Sequence, residues 1–199
     1  MKSNVCKIEN GIKDLTAIFK ECEKVAVYNE LNHKQALQLR LLCEEIDGML
    51  PEIVGDFDGA LWFEFEDNTC KVNVSIKIAD LTATKKEELI AISKNKKNAA
   101  AVGISGKIRS AIEDILLDEA AAQAYEFSSV SFQMATGYSD GVNYDYLWSL
   151  EQYRNQIDKD TQEESWDELE KSVIASVSDD VIVGVKGTQV NIILVKHFA

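Results

Sequence analysis

Proline is almost missing from this chain. Pro51 is the only one in 199 residues, and the sequence holds no low-complexity segment and no internal repeat. Histidine is nearly as scarce. His33 and His197 stand alone, neither at a ligand spacing, so no zinc site is expected. The four cysteines, Cys6, Cys22, Cys43 and Cys70, form no CxxC pair. Cys22 and Cys43 fall in helical segments with mostly apolar faces, so they read as reduced, buried small hydrophobes of a cytoplasmic protein. No apolar run reaches 18 residues, which leaves no candidate membrane-spanning helix. The opening MKSNVCKIENGIK lacks the apolar centre of a signal peptide, so export is not expected. Basic residues number 21 against 34 acidic ones, a net charge of −13 that repels nucleic acid and anionic membranes. A small nucleotide is still allowed, because it needs only a local cluster of donors.

What is present is an ordinary globular composition. Hydrophobic residues make up 46% and charged residues 28%, enough for one well-filled domain. Residues 11–30 read as an amphipathic helix with Ile12, Leu15, Ile18, Phe19, Cys22, Val25 and Ala26 on its stripe. Asn32 can cap a second helix over 33–50, whose stripe is Leu39, Leu42, Cys43, Ile46, Met49, Leu50 and Ile53. No Glu follows Asn32 to complete a capping box. At roughly 100° per residue, Glu45 and Asp47 flank opposite shoulders of that stripe, while Glu44 and Gly48 point away. Pro51 is expected to end or kink the helix. Two alternating segments follow, ALWFEFE and CKVNVSIKI, joined by a hairpin turn at Asp67-Asn68-Thr69. Nine carboxylates and no Lys or Arg lie between Glu44 and Asp67, a run that reads either as a solvated rim or as a contact surface.

Further on, Thr84 can cap a short helix to Ile92, and the small, basic stretch 93–106 reads as a connection. A helix from Gly106 would place Ile108, Ile112 and Ile115 on one side. Residues 128–136 alternate like a strand. Tyr144 to Ile157 reads as a helix with Tyr146, Leu147, Leu150, Tyr153 and Ile157 along its stripe. Ser165, with Glu168 three positions later, can cap the last helix, whose inner residues are Leu169, Val173, Ile174 and Val177. Val181, Val183 and Val185, a turn at Gly187, then Val190, Ile192 and Leu194 form the clearest hairpin of the chain.

Three stretches, LRLLCEEIDGML, VNVSIKIAD and ELEKSVIASVSDDVIVGVKGTQVNIILVKHF, carry a likeness in this order of elements. The chain resembles the GHKL, or histidine-kinase-like, ATPase domain, and above all the bacterial anti-sigma-factor serine/threonine kinases. The resemblance covers about 11–80 and 165–198 and implies an α+β fold. Helices would pack on one face of a mixed, mostly antiparallel sheet, in a single domain over 1–199 with a divergent insertion at about 95–160. It implies ATP as ligand, with Mg²⁺. Glu45 matches the family's water-activating helix carboxylate, with Glu44 as the competing register, and Asp80 matches the residue that reads adenine. Gly103, Gly106 and Lys107 match its glycine-bearing phosphate element. The chain departs from the pattern at Met49, four positions after Glu45, which cannot bind Mg²⁺. It departs again after Asp80, where LTAT replaces a glycine-spaced turn. An ATP-binding protein of bacterial signalling with degenerate catalytic motifs is therefore one expectation. The other is a non-catalytic protein-interaction module, with the acidic rim at Asp56–Asp58 and Trp62 as contact candidates for a protein partner.

Overall fold

The computed structural model describes residues 1–9, 15–54, 57–78, 104–109, 112, 146–160, 172–186 and 188–199. The alternation of the first strand pair builds what it implies. Strands β2 (Phe57–Glu66) and β3 (Thr69–Ile78) pair antiparallel from Phe57↔Ile78 to Glu66↔Thr69. Asp67 and Asn68 close the loop with φ of 48° and 59°. Positive φ at both central residues marks the tight hairpin turn whose twist suits the flanking strands, and Asp and Asn tolerate it best after Gly. Leu61, Phe63 and Phe65 are buried on one face beside Cys70, Val72, Val74 and Ile76.

A short strand that the sequence reading passed over, β1 (Cys6–Glu9), adds to the edge of β2. Its Ile8 lies opposite Gly59, which in turn faces Ile76. A Cβ at Gly59 would stand 2.4 Å from the Ser75 carbonyl oxygen, so this close crossing requires glycine.

The C-terminal hairpin forms as its pattern implies. Strands β5 (Asp180–Lys186) and β6 (Gln189–His197) pair antiparallel, with Val181, Val183, Val185, Val190, Ile192 and Leu194 all buried. β6 then pairs with β3, Val72 opposite Leu194, and a single sheet results in the order β1-β2-β3-β6-β5-β4. Its class is α+β. The expected mixed character is corrected: all the pairings among the described residues are antiparallel.

Helices α1 (Thr16–Tyr28) and α2 (His33–Val54) bury their stripes in the same core as that sheet face. Each fully buried Leu or Ile contributes roughly 1.5–3 kcal/mol, so the seven buried positions of α2 from Leu39 to Ile53 anchor it. Two expectations for α2 need correction. The Gln35 backbone N–H donates to Asn32 Oδ1 at 3.0 Å and the Asn32 N–H to Gln35 Oε1 at 2.9 Å, a reciprocal capping box built with Gln instead of Glu. Of the two outcomes expected at Pro51, an end or a kink, the end does not occur, because the helix runs on to Val54. Proline removes one hydrogen bond, to the Asp47 carbonyl. It does so in the last turn, where Leu50 and Ile53 are buried and hold the chain in place.

The segment read as a helix from Tyr144 begins instead as a strand. Tyr146–Ser149 is β4, paired with β5, and helix α3 (Leu150–Asp160) starts only after it. Ser149 caps α3 by accepting from the Gln152 N–H at 3.3 Å. The short helix α4 (Val173–Val177) is capped by Ser172, and Ile174 and Ala175 are its buried residues. Ser165 and Leu169, the 84–92 helix, the 128–136 strand and the turn residue Gly187 lie outside the described residues. Residues 104–109 are helical, and Ile104, Ile108 and Ile112 join the main core. The stretch without a counterpart in the resembled family thus contributes to the common core and, through β4, to the sheet. No described helix is long and apolar enough to cross a membrane.

Candidate functional site

The shoulder of α2 carries the first candidate. Glu45 is half-buried on α2 and makes no hydrogen bond or ion pair among the described residues. Glu44, the competing register, is exposed and committed elsewhere: Arg40 Nε donates to its Oε1 at 3.1 Å, one helical turn away. Asp47 is half-buried, and burial alone pushes its carboxyl above the usual range. Met49 is buried, and Gly48 faces open space with nothing within 4 Å of where a Cβ would stand. Asp80 and Gly103 lie outside the described residues. Gly106 is buried within the 104–109 helix, and the Lys107 ammonium sits 5.5 Å from the centre of the Tyr153 ring. The structure therefore brings Lys107 to α3, and no hydrogen bond or ion pair links it to Glu45.

The C-terminal carboxylates behave in the opposite way. Asp180 accepts from Ser149 Oγ at 3.2 Å, the Glu151 N–H at 3.0 Å and the Val181 N–H at 2.8 Å, tying β5 to the start of α3. Asp179 accepts from Lys196 Nζ at 3.1 Å and the His197 N–H at 2.5 Å. Arg154 donates to the Asp179 carbonyl and, in a short contact, to the Ala175 carbonyl. These groups are engaged in holding the C-terminal corner together.

The outer side of the helix pair is a second candidate. A groove of about 260 Å³ runs between α1 and α2, lined by Phe19, Cys22, Ala26, Val27, Leu31 and Leu37 among others. Val27 is 80% exposed, Tyr28 72% and Leu37 52%. The Arg40 guanidinium covers the Phe19 ring at 4.3 Å. Sequence reasoning missed this surface, although the signal was there. Val27, Tyr28 and Leu37 are large apolar residues off the core stripe of an amphipathic helix. The proposed contact residue Trp62 is only half-buried, with its indole N–H donated to Glu64 at 3.0 Å and Lys2 over its ring. Asp58 is exposed and lies 3.7 Å from Lys7, while Asp56 lies outside the described residues.

All four cysteines are free and buried, Cys22 and Cys43 as their helical context implies. They come from β1, α1, α2 and β3. The neighbouring Cys22 and Cys43 thiols share one proton interaction, which lowers the pKa of Cys22 and, with burial, pushes that of Cys43 well above the usual thiol range. Burial pushes Cys70 up to about 12. Cys43 and Cys70 are thereby held as neutral thiols in the core. No group of His, Cys, Asp and Glu suited to a metal ion occurs among the described residues. Comparison of the whole chain with known protein families, with curated proteins and with solved structures finds no match.

Proposed function

We propose that this chain is an ATP-binding protein of the anti-sigma-factor-kinase type whose catalytic motifs are worn. One observation carries the reading. The β2–β3 hairpin and the C-terminal hairpin share one sheet through the β3–β6 seam, and α2, with Glu45 on its shoulder, shares a core with that sheet. Glu45 is half-buried and makes no hydrogen bond or ion pair among the described residues, which leaves its carboxylate open to a ligand and supports the reading. Asp80 follows Ile78, the last residue of β3, by two positions. In this reading Asp80 accepts from the adenine amino group, Gly103, Gly106 and Lys107 approach the phosphates, and Glu45 stands near the terminal phosphate. Met49 supplies no magnesium ligand, so binding outlasts hydrolysis. The test is thermal unfolding or calorimetry with ATP and Mg²⁺. A ligand at ten times its dissociation constant adds about 1.4 kcal/mol to stability, and no stabilisation at millimolar nucleotide overturns the reading.

A second reading is a non-catalytic interaction module that binds a protein partner. The exposed Val27, Tyr28 and Leu37 beside the α1–α2 groove favour it. Replacing Val27 and Leu37 by Ser would then abolish capture of the partner and leave any nucleotide effect untouched. Loss of the nucleotide effect with capture intact argues the other way.

A further inference from the structure

The face of the sheet turned away from the core has its own opening. Residues directly opposite one another across strands share a face. Asp58, Lys77, Gln189 and Lys186 form one such row across β2, β3, β6 and β5. A trough of about 560 Å³ lies along it, with Ser75 and Thr188 in its wall. That is ample for a small metabolite. Lys77 and Lys186 flank Gln189, so their Cα atoms stand two interstrand spacings apart, roughly 10 Å. Their flexible four-carbon stems can bring both ammonium groups over the strand between them.

Charge sets this row apart from the rest of the sheet. Lys2 is paired with Glu64, Lys7 with Glu9 and Lys196 with Asp179. Lys77 and Lys186 are exposed and make no ion pair among the described residues. The one carboxylate beside them, Asp58, is shared with Lys7 at 3.7 Å. In a chain of net charge −13, two lysines without an ion pair among the described residues face one trough that holds a single carboxylate, a local excess of positive charge. The neutral donors there are already ordered: Gln189 Nε2 donates to Ser75 Oγ at 3.0 Å, which leaves the Ser75 hydroxyl proton and the second Gln189 N–H to give.

We propose that Lys77 and Lys186, with Ser75, Thr188 and Gln189, bind the phosphoryl group of a small phosphomonoester. Lysine recognises phosphate as a point charge, and hydroxyl and amide donors complete the shell. The overall negative charge repels a phosphate polymer, so the ligand is a small molecule. This site lies on the sheet face opposite α2 and stands or falls independently of the nucleotide reading.

The experiment is an NMR titration of the ¹⁵N-labelled full chain at constant ionic strength, with inorganic phosphate, glycerol phosphate and chloride as probes. Saturable shifts at the Lys77, Thr188 and Gln189 amides are expected with both phosphates and none with chloride. A Lys77→Gln/Lys186→Gln variant should bind about tenfold more weakly, with the same unfolding midpoint in phosphate-free buffer. The Lys77→Arg/Lys186→Arg variant should keep its affinity. Shifts that chloride reproduces, or a Gln variant that titrates like the parent chain, overturn the site. Tighter binding of a phosphoserine peptide than of glycerol phosphate overturns the small-molecule assignment.

Discussion

Two carboxylate groups look alike in the sequence and are used in opposite ways. EEID at 44–47 and SDD at 178–180 each put acidic residues beside a hydrophobic run. At the C-terminal corner the charges are consumed. Asp180 receives two backbone N–H groups and a serine hydroxyl, and Asp179 receives Lys196 and a backbone N–H. On α2, Glu45 and Asp47 are half-buried with no partner among the described residues. Burial without a partner disfavours the charged form of Asp47, and both side chains stay open to a ligand. The contrast separates carboxylates that build the fold from those free to act.

The largest expected effect is at the corner. Asp180→Ala removes the bridge from β5 to the capped start of α3 and should lower stability by about 2 kcal/mol in urea unfolding. A loss under about 0.5 kcal/mol would dissolve the distinction between the two regions. A smaller effect, dependent on pH, is expected at Glu21, buried on α1. Hydrogen bonds from Lys24, then Asn4, hold its carboxyl below the ordinary value of 4.5. Its contribution is therefore present above that value and lost as pH falls through the lower folded value. Glu21→Gln should be less stable than the parent at pH 7 and converge with it in acid. An offset constant with pH would assign the loss to packing.

Glu45→Gln sharpens the contrast from the other side. Stability should stay within about 0.5 kcal/mol, while the thermal stabilisation by ATP and Mg²⁺ disappears. A large loss of stability would place Glu45 with the structural carboxylates. The smallest effect is at Asp47. Burial raises its folded value above 3.8, so the native state holds the proton more tightly and stability falls as pH rises through that interval. Asp47→Asn should raise the unfolding midpoint slightly at pH 7, and the gain should vanish below pH 3.8. An unchanged midpoint at pH 7 would show that the group is solvated.

Which parts of the molecule were legible follows from how local their causes are. The two hairpins declare themselves because alternation and turn chemistry lie within about 20 residues. Asp67-Asn68 alone sets a register of ten pairs from Phe57 to Glu66. The α2 stripe is equally local. β4 was not legible. Tyr146, Leu147, Leu150 and Tyr153 satisfy a helical period, and only pairing of Tyr146–Ser149 with β5 makes the first four residues a strand. The helix continues past Pro51 for the same reason: a local preference against helix yields to the distant contacts that bury Leu50 and Ile53. The candidate site was legible in part. The shoulder position of Glu45 follows from helix geometry, but the solitude of Glu45 and the commitment of Glu44 to Arg40 depend on side-chain partners that spacing does not fix.

The seam between β3 and β6 has a consequence for synthesis. Its partners, Val72 and Leu194, lie on opposite sides of more than half the chain. While the ribosome is still making the later residues, β3 is a naked margin offering Val72, Val74 and Ile76 to any passing strand. Until β6 is made the nascent protein is therefore adhesive along this margin, and slowing translation between β3 and β6 should deepen its dependence on chaperones.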